Sequence, residues 1–246
     1  SLEVVPAPWY TGGDIRSHFD TIASWGFNAV RLCLDGDWSD GDTAAMHRAT
    51  RRAVMQADSA GLRVMLLVHP PLDAFWMAYT AGLMRRLADV PALWAYDLMN
   101  EPLGTNITRD VNFQQAFWDF SNELYEAVRV VDPDHIITME AIWSPSAIAS
   151  PDVYGWENIV YQEHLYDVSN IAFLNKVDEI RRAKYNAPFL IGEFYPRGIS
   201  SFDYLFSIFN SRSLSWTTWT YKGAGNNADA SPWFLYGSST IEKVDY

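Results

Sequence analysis

The chain of 246 residues is poor in cysteine: Cys33 is the only one, so no internal disulfide can form. It sits in the apolar run Val30-Arg31-Leu32-Cys33-Leu34, where a small buried thiol is expected rather than a nucleophile. Basic residues are also scarce, 18 Lys and Arg against 30 Asp and Glu, for a formal net charge of −12. Nucleic acids and anionic membrane surfaces select clustered Lys and Arg, so neither is an expected partner. No apolar stretch approaches the roughly 20 residues that span a bilayer. The first ten residues lack the basic start and apolar centre of a signal peptide, as would a mature secreted protein after its removal. Also missing are Gly-x-Ser-x-Gly, Gly-x-x-x-x-Gly-Lys and His-Glu-x-x-His, which leaves no motif for a serine hydrolase, a phosphate loop or a zinc protease. Gly223-Ala224-Gly225 alone is too little for a dinucleotide site.

What the chain does have is apolar material, 49% of its residues, enough for a substantial core. No linker, charge block or internal repeat divides it, so one domain over residues 1–246 is expected. Short Val/Ile/Leu-rich runs alternate with helix-period segments. Strands are expected over Ala29–Leu34, Leu62–Val68, Leu93–Met99, Ile136–Met139, Ile159–Gln162, Phe189–Ile191 and Trp216–Tyr221, with a weak first strand at Leu2–Val5. Between them, helices are expected from Asp14 to Trp25, Thr43 to Ala60, Ala74 to Ala88, Ile171 to Ala183 and Tyr204 to Ser211, with Gly26 and Gly61 as stops. The clearest helix carries Phe113, Phe117, Phe120, Leu124, Ala127 and Val131 as one apolar stripe. After Tyr221 only Thr240–Val244 offers helical material, so the last helix is abbreviated. Such alternation implies right-handed crossovers and a parallel sheet, either a (β/α)8 TIM barrel or an open doubly wound sheet.

Two glutamates fall just after buried strands. Glu101 follows Leu98-Met99-Asn100 and precedes Pro102; Glu193 follows Leu190-Ile191-Gly192. In a barrel the active site is assembled at the C-terminal strand ends, so both would reach one mouth. Each taken alone reads as a solvated loop residue; together, each beside Asn or Gly at the end of an apolar run, they point to function. Arg31, His69, His164, Tyr166 and Trp219 fall at comparable strand ends. Each has a plain alternative: a structural ion pair for Arg31, a satisfied histidine before Pro70-Pro71 for His69, ordinary core for Trp219. Their common height argues against those alternatives. Two further carboxylates lie nearby: Glu163, read as structural but able to meet Arg31 or sugar, and Glu140 after the fifth strand, a lesser rival to the pair.

Asn100-Glu101-Pro102 and Ile191-Gly192-Glu193 resemble the two signatures of clan A glycoside hydrolases. Gly26-Phe27-Asn28-Ala29-Val30-Arg31-Leu32, His164-Leu165-Tyr166 and the Trp219 strand narrow the resemblance to the cellulase-like family 5, over about Asp14 to Lys222. The resemblance implies a secreted, retaining enzyme needing no cofactor or metal, with an oligo- or polysaccharide substrate. Glu101 would be the acid/base and Glu193 the nucleophile, Arg31 and Tyr166 would keep Glu193 ionised, Asn100 would bind the sugar 2-hydroxyl, His69 and His164 would line the cleft, and Trp219 would be a sugar platform. Trp38, Trp76, Trp143 and Trp233 are candidate outer subsites because they lie in or near loops after strands, where each could equally pack a loop. An internal cut in a β-1,4-glucan or mannan is expected from short joints that leave an open cleft; an exo-acting enzyme and a non-catalytic carbohydrate-binding barrel are the alternatives.

Overall fold

The computed structural model describes residues 2–4, 15–34, 43–68, 74–101, 111–140, 149–165, 187–194, 202–218, 221, 236–237 and 242–243. Eight strands, β1 (Leu2–Val4), β2 (Ala29–Cys33), β3 (Arg63–Leu67), β4 (Leu93–Asp97), β5 (Ile136–Glu140), β6 (Ile159–Leu165), β7 (Phe189–Phe194) and β8 (Ser215–Trp216), pair in that order. Every neighbouring pair is parallel. Helices α1 (Arg16–Ser24), α2 (Thr43–Ser59), α3 (Ala74–Leu87), α4 (Val111–Val131), α5 (Pro151–Tyr154) and α6 (Phe202–Ser211) lie between them in the chain. This is the strand order of a (β/α)8 barrel, with the faint first strand present: Leu2, Glu3 and Val4 stand opposite Val30, Arg31 and Leu32.

Local chemistry accounts for the helix ends. Gly26 and Gly61 adopt φ of +86° and +78°, the left-handed conformation that closes α1 and α2. The N-cap of α1 is Ile15, which makes no side-chain capping bond; Asp14, the expected cap, lies outside the described residues. On α4 the buried face is Phe117, Trp118, Ser121, Leu124, Tyr125 and Val128, so the expected stripe is rotated: Ala127 and Val131 are only partly covered. The rotation follows from aromatic packing, because Trp118 and Tyr125 both turn toward Trp156, at 5.9 and 6.2 Å between ring centroids.

Alternation along the strands divides their side chains into two sets. Val30, Leu32, Val64, Leu66, Tyr96, Ile137, Tyr161, Ile191 and Phe194 face the helices, in one core with Phe19, Val54, Leu83, Leu124 and Phe209. Met65, Ala95, Val160 and Leu190 form a second, smaller cluster that fills the lower barrel, with Trp94 and Ile136 packed against it.

At the C-terminal end, strand is described at Ser215–Trp216, with the Thr217 N–H bonding Ile191 O at 2.8 Å and a further bridge at Thr218; residues 219 and 220 of the expected strand Trp216–Tyr221 lie outside the described residues. Thr240–Val244 is not helical where described: Glu242–Lys243 (β10) pairs antiparallel with Tyr236–Gly237 (β9). The helix expected over 171–183 lies outside the described residues. Among those described, no helix is long and apolar enough to cross a membrane.

Candidate active site

Above the apolar cluster the barrel interior turns polar. Arg31 on β2 and Asp97 on β4 are both fully buried, and the Arg31 Nε donates to Asp97 Oδ2 at 2.7 Å. The same guanidinium donates through Nη1 to Glu193 Oε1 at 2.7 Å and through Nη2 to Asn100 Oδ1 at 2.9 Å. A buried cation is costly without partners, and this planar fork is satisfied by three acceptors from two strands and the loop after β4. The second Asp97 oxygen accepts from Gln162 Nε2 at 2.6 Å, which also reaches Thr138 Oγ1 at 3.2 Å. The polar layer thus joins β2, β4, β5, β6 and β7.

Glu193 does not follow its strand, as expected, but lies inside β7. The register slips there: Glu163 pairs with Ile191 and His164 with Glu193, leaving Gly192 as an extra residue, a β-bulge. Ile191 and Phe194 both face the helices, so regular alternation would send Glu193 outward with Ile191; the bulge turns it inward to Arg31. Glycine suits the extra residue. A Cβ at position 192 would run into Gln162 Oε1 and stand 3.1 Å from His164 Cδ2, so the Gln162 amide would have to move. Likewise Glu163, His164 and Leu165 do not follow β6 but belong to it. Alternation puts Glu163 on the outward face with Tyr161.

Glu101 stands four residues beyond β4 with φ of +41°, an uncommon conformation for a residue with a side chain. Its carboxyl Oε1 lies 2.8 Å from His164 Nδ1, and the same nitrogen lies 3.4 Å from Glu193 Oε2 and 3.4 Å from Glu140 Oε1. The Glu101 and Glu193 oxygens are therefore no farther apart than the first two distances added together. Glu140, at the end of β5, accepts the Glu101 backbone N–H at 2.6 Å through its other oxygen.

These contacts set the proton positions. Burial pulls the His164 imidazole down, but Glu140, Glu193 and the hydrogen-bonded Glu101 outweigh it against Arg31, raising the group to about 9. It is an imidazolium at neutral pH. The His164 hydrogen bond, against burial and with the His164 and Arg31 charges, holds Glu101 below the usual carboxylate range. Burial pushes Glu140 up; Asp97 and Glu193 add to the rise, His164 and Arg31 oppose it, and the carboxyl ends at about 8. At neutral pH it carries a proton.

Of the residues singled out in the sequence, Arg31, Asn100, Glu101, His164 and Glu193 come together here. Trp38, His69, Trp143, Tyr166, Trp219 and Trp233 lie outside the described residues, as does the side chain of Trp76. Asp97, Thr138 and Gln162 were missed. For Asp97 a signal existed: a carboxylate inside an otherwise apolar strand is what a buried arginine needs. Glu140, in sequence a lesser rival to the pair, touches the backbone of Glu101.

The fold has close counterparts. The catalytic domain of Thermobifida fusca endoglucanase Cel5A, in complex with cellotetraose, is 20% identical, with 89% of this chain covering 78% of that one at a TM-score of 0.67. Thermomonospora fusca β-mannanase with mannotriose is 20% identical, 95% of this chain covering 85% of it, TM-score 0.71. Endo-glycoceramidase II from a Rhodococcus species, as a lactosyl-enzyme intermediate, is 17% identical over 99% of this chain and 76% of that one, TM-score 0.68. No curated protein sequence shows a significant match to the chain. The family model "Cellulase (glycosyl hydrolase family 5)" matches residues 1–225. With that match over nearly its whole length, the chain belongs to glycoside hydrolase family 5 and is a retaining glycoside hydrolase.

Proposed function

We propose that the protein makes internal cuts in a β-1,4-linked glucan or mannan by double displacement, with Glu101 as acid/base and Glu193 as nucleophile. The observation that carries the assignment is the shared nitrogen: His164 Nδ1 at 2.8 Å from Glu101 Oε1 and 3.4 Å from Glu193 Oε2. Two oxygens reached by one nitrogen can address a single anomeric carbon from opposite sides, which favours the close carboxyl pair of a retaining enzyme.

The chemistry follows from the contacts. Arg31 and His164 each engage one oxygen of Glu193, which orients the carboxylate for attack on the anomeric carbon. Glu101 must be protonated when the leaving oxygen departs, yet in the free site His164 keeps it ionised. Glu101 is 36% exposed, so a sugar covering it removes water and favours its neutral form. The imidazolium proton on His164 Nδ1, already at hydrogen-bonding distance, then moves to Glu101 and on to the leaving oxygen. Glycosylation of Glu193 removes a negative charge, and Glu101, again a carboxylate, takes a proton from the water that releases the sugar.

By the family resemblance, Asn100 binds the sugar 2-hydroxyl, Tyr166 assists Glu193, Trp219 is the platform under the cleaved sugar, His69 lines the cleft, and Trp38 and Trp143 serve outer subsites. The glycan class draws support from the cellotetraose and mannotriose held by two structural neighbours. Action outside the cell accords with polymeric substrates of this kind.

A 2-fluoro aryl β-glycoside should inactivate the enzyme and leave its sugar on Glu193, as read by peptide mass spectrometry. Glu193→Ala should lose on the order of 10⁴-fold or more in kcat on aryl β-glycosides. Label on another residue would remove the nucleophile assignment; an inert wild type on a broad β-glycan panel would favour a binding barrel. Release of monosaccharide alone from cellulose derivatives and glucomannan would end the endo reading.

A further inference from the structure

Glu140 has no task in that mechanism, and it is an expensive residue to keep. Only 6% exposed, it is pushed by burial to about 8, whereas an amide or apolar side chain there would carry no such burden. Both of its oxygens meet the machinery. Oε2 accepts the Glu101 N–H at 2.6 Å, and Oε1 stands 3.4 Å from His164 Nδ1. Glu101 needs such a hold, because its φ of +41° is strained for a residue with a side chain and persists only when the surroundings enforce it.

We propose that Glu140 is the positioning residue for Glu101, fixing its left-handed backbone through the N–H and steadying His164 against its carboxyl. The proposal rests on Glu101 being the acid/base. The groups facing Glu140 are Asp97 and Glu101 from β4 and the loop after it, His164 from β6, Glu193 from β7 and Arg31 from β2. Two oxygens of one rigid strand residue therefore set both the backbone of the acid and the imidazole that supplies its proton. A buried water could satisfy the N–H, but it would not hold the imidazole in register with it.

The test compares Glu140→Ala, Glu140→Gln and Glu101→Ala on aryl β-glycosides of graded leaving-group acidity. A misplaced acid harms only reactions that need one. Glu140→Ala should therefore lower kcat/KM about 100-fold for phenyl glycosides, yet about threefold or less for 2,4-dinitrophenyl glycosides. Glu140→Gln keeps an acceptor for the N–H and should recover most of the loss at acidic pH. Its basic limb should move down by about one pH unit, because His164 loses a carboxyl that favours its charged form. Equal losses on both glycosides, or no loss, overturn the proposal. If Glu140→Ala fails to fold, Glu140→Gln decides: a wild-type pH profile overturns it equally. Glu101→Ala guards the premise. If its defect is independent of the leaving group and azide does not rescue it, Glu101 is not the acid/base and the mechanism itself fails first.

Discussion

The lower and upper halves of one barrel interior are built from the same strands to opposite ends. Below, Met65, Ala95, Val160 and Leu190 make a dry apolar cluster. Two residues further along β4 and β6, and three along β7 past its bulge, the inward positions are Asp97, Gln162 and Glu193, joined by Arg31 of β2, all buried and all polar. The lower set stabilises by burial alone, about 1.5–3 kcal/mol for each large side chain. The upper set gains little from burial and coheres only because every charge has a partner, which makes it directional. Barrel stability and catalytic geometry are thus stacked along the strands.

Breaking the upper layer should have the largest effect. Arg31→Met leaves Asp97 and Glu193 facing each other without the guanidinium and should cost about 3–5 kcal/mol in urea denaturation, with activity lost as well. A change below 1 kcal/mol would mean the layer does not depend on that cation. In the lower layer, Leu190→Ala should cost about 2–5 kcal/mol through the cavity it opens, while kcat at a permissive temperature stays within about threefold of wild type. A collapse of kcat there would show the two layers to be coupled. Gly192→Ala sits at the join: its Cβ must displace Gln162 Oε1, for about 1–3 kcal/mol of stability and at least about tenfold in kcat.

The smallest effect is a slope. Glu140 and His164 are both raised above their ordinary values of 4.5 and 6.5, to about 8 and about 9. Between those limits the folded chain holds more protons than the unfolded one, so stability falls as pH rises. Glu101, held below its ordinary value, acts the other way, with its contribution lost only as pH falls through the acid range. Tm should decline from pH 5 to pH 9. Leu190→Ala should shift that curve in parallel, whereas Glu140→Gln should flatten its portion below pH 8. A flat wild-type curve would place the protons elsewhere.

The same division explains what the sequence disclosed. Helices and lower strand segments were legible because their apolar period is unbroken, and α4 needed only a small rotation toward Trp156. Strand ends were misplaced wherever the polar layer begins. Glu163-His164 and Gly192-Glu193 look like loops to a reading based on hydrophobicity, yet they are the upper ends of β6 and β7. Helix α5 escaped notice because four residues carry no period, although Ser150, Pro151 and a left-handed Gly155 mark its boundaries. Asn100, Glu101, His164 and Glu193 were found through motif and resemblance. Asp97 and Gln162 touch no motif, since their role is to hold Arg31.

The slip in β7 also decides how the strand can be edited. Upstream of Gly192, odd-numbered positions belong to the helix side; downstream, even-numbered ones do, as Ile191 and Phe194 attest. Excising that single glycine would restore an unbroken parity with the carboxylate still facing the lumen and Phe194 still among Phe202, Phe206 and Phe209, whereas keeping the glycine but pairing it as an ordinary residue would turn the carboxylate outward. Grafts of this strand between related barrels must therefore keep the glycine and the register slip together or drop both, because either one alone transplants the glutamate to the wrong side of the wall.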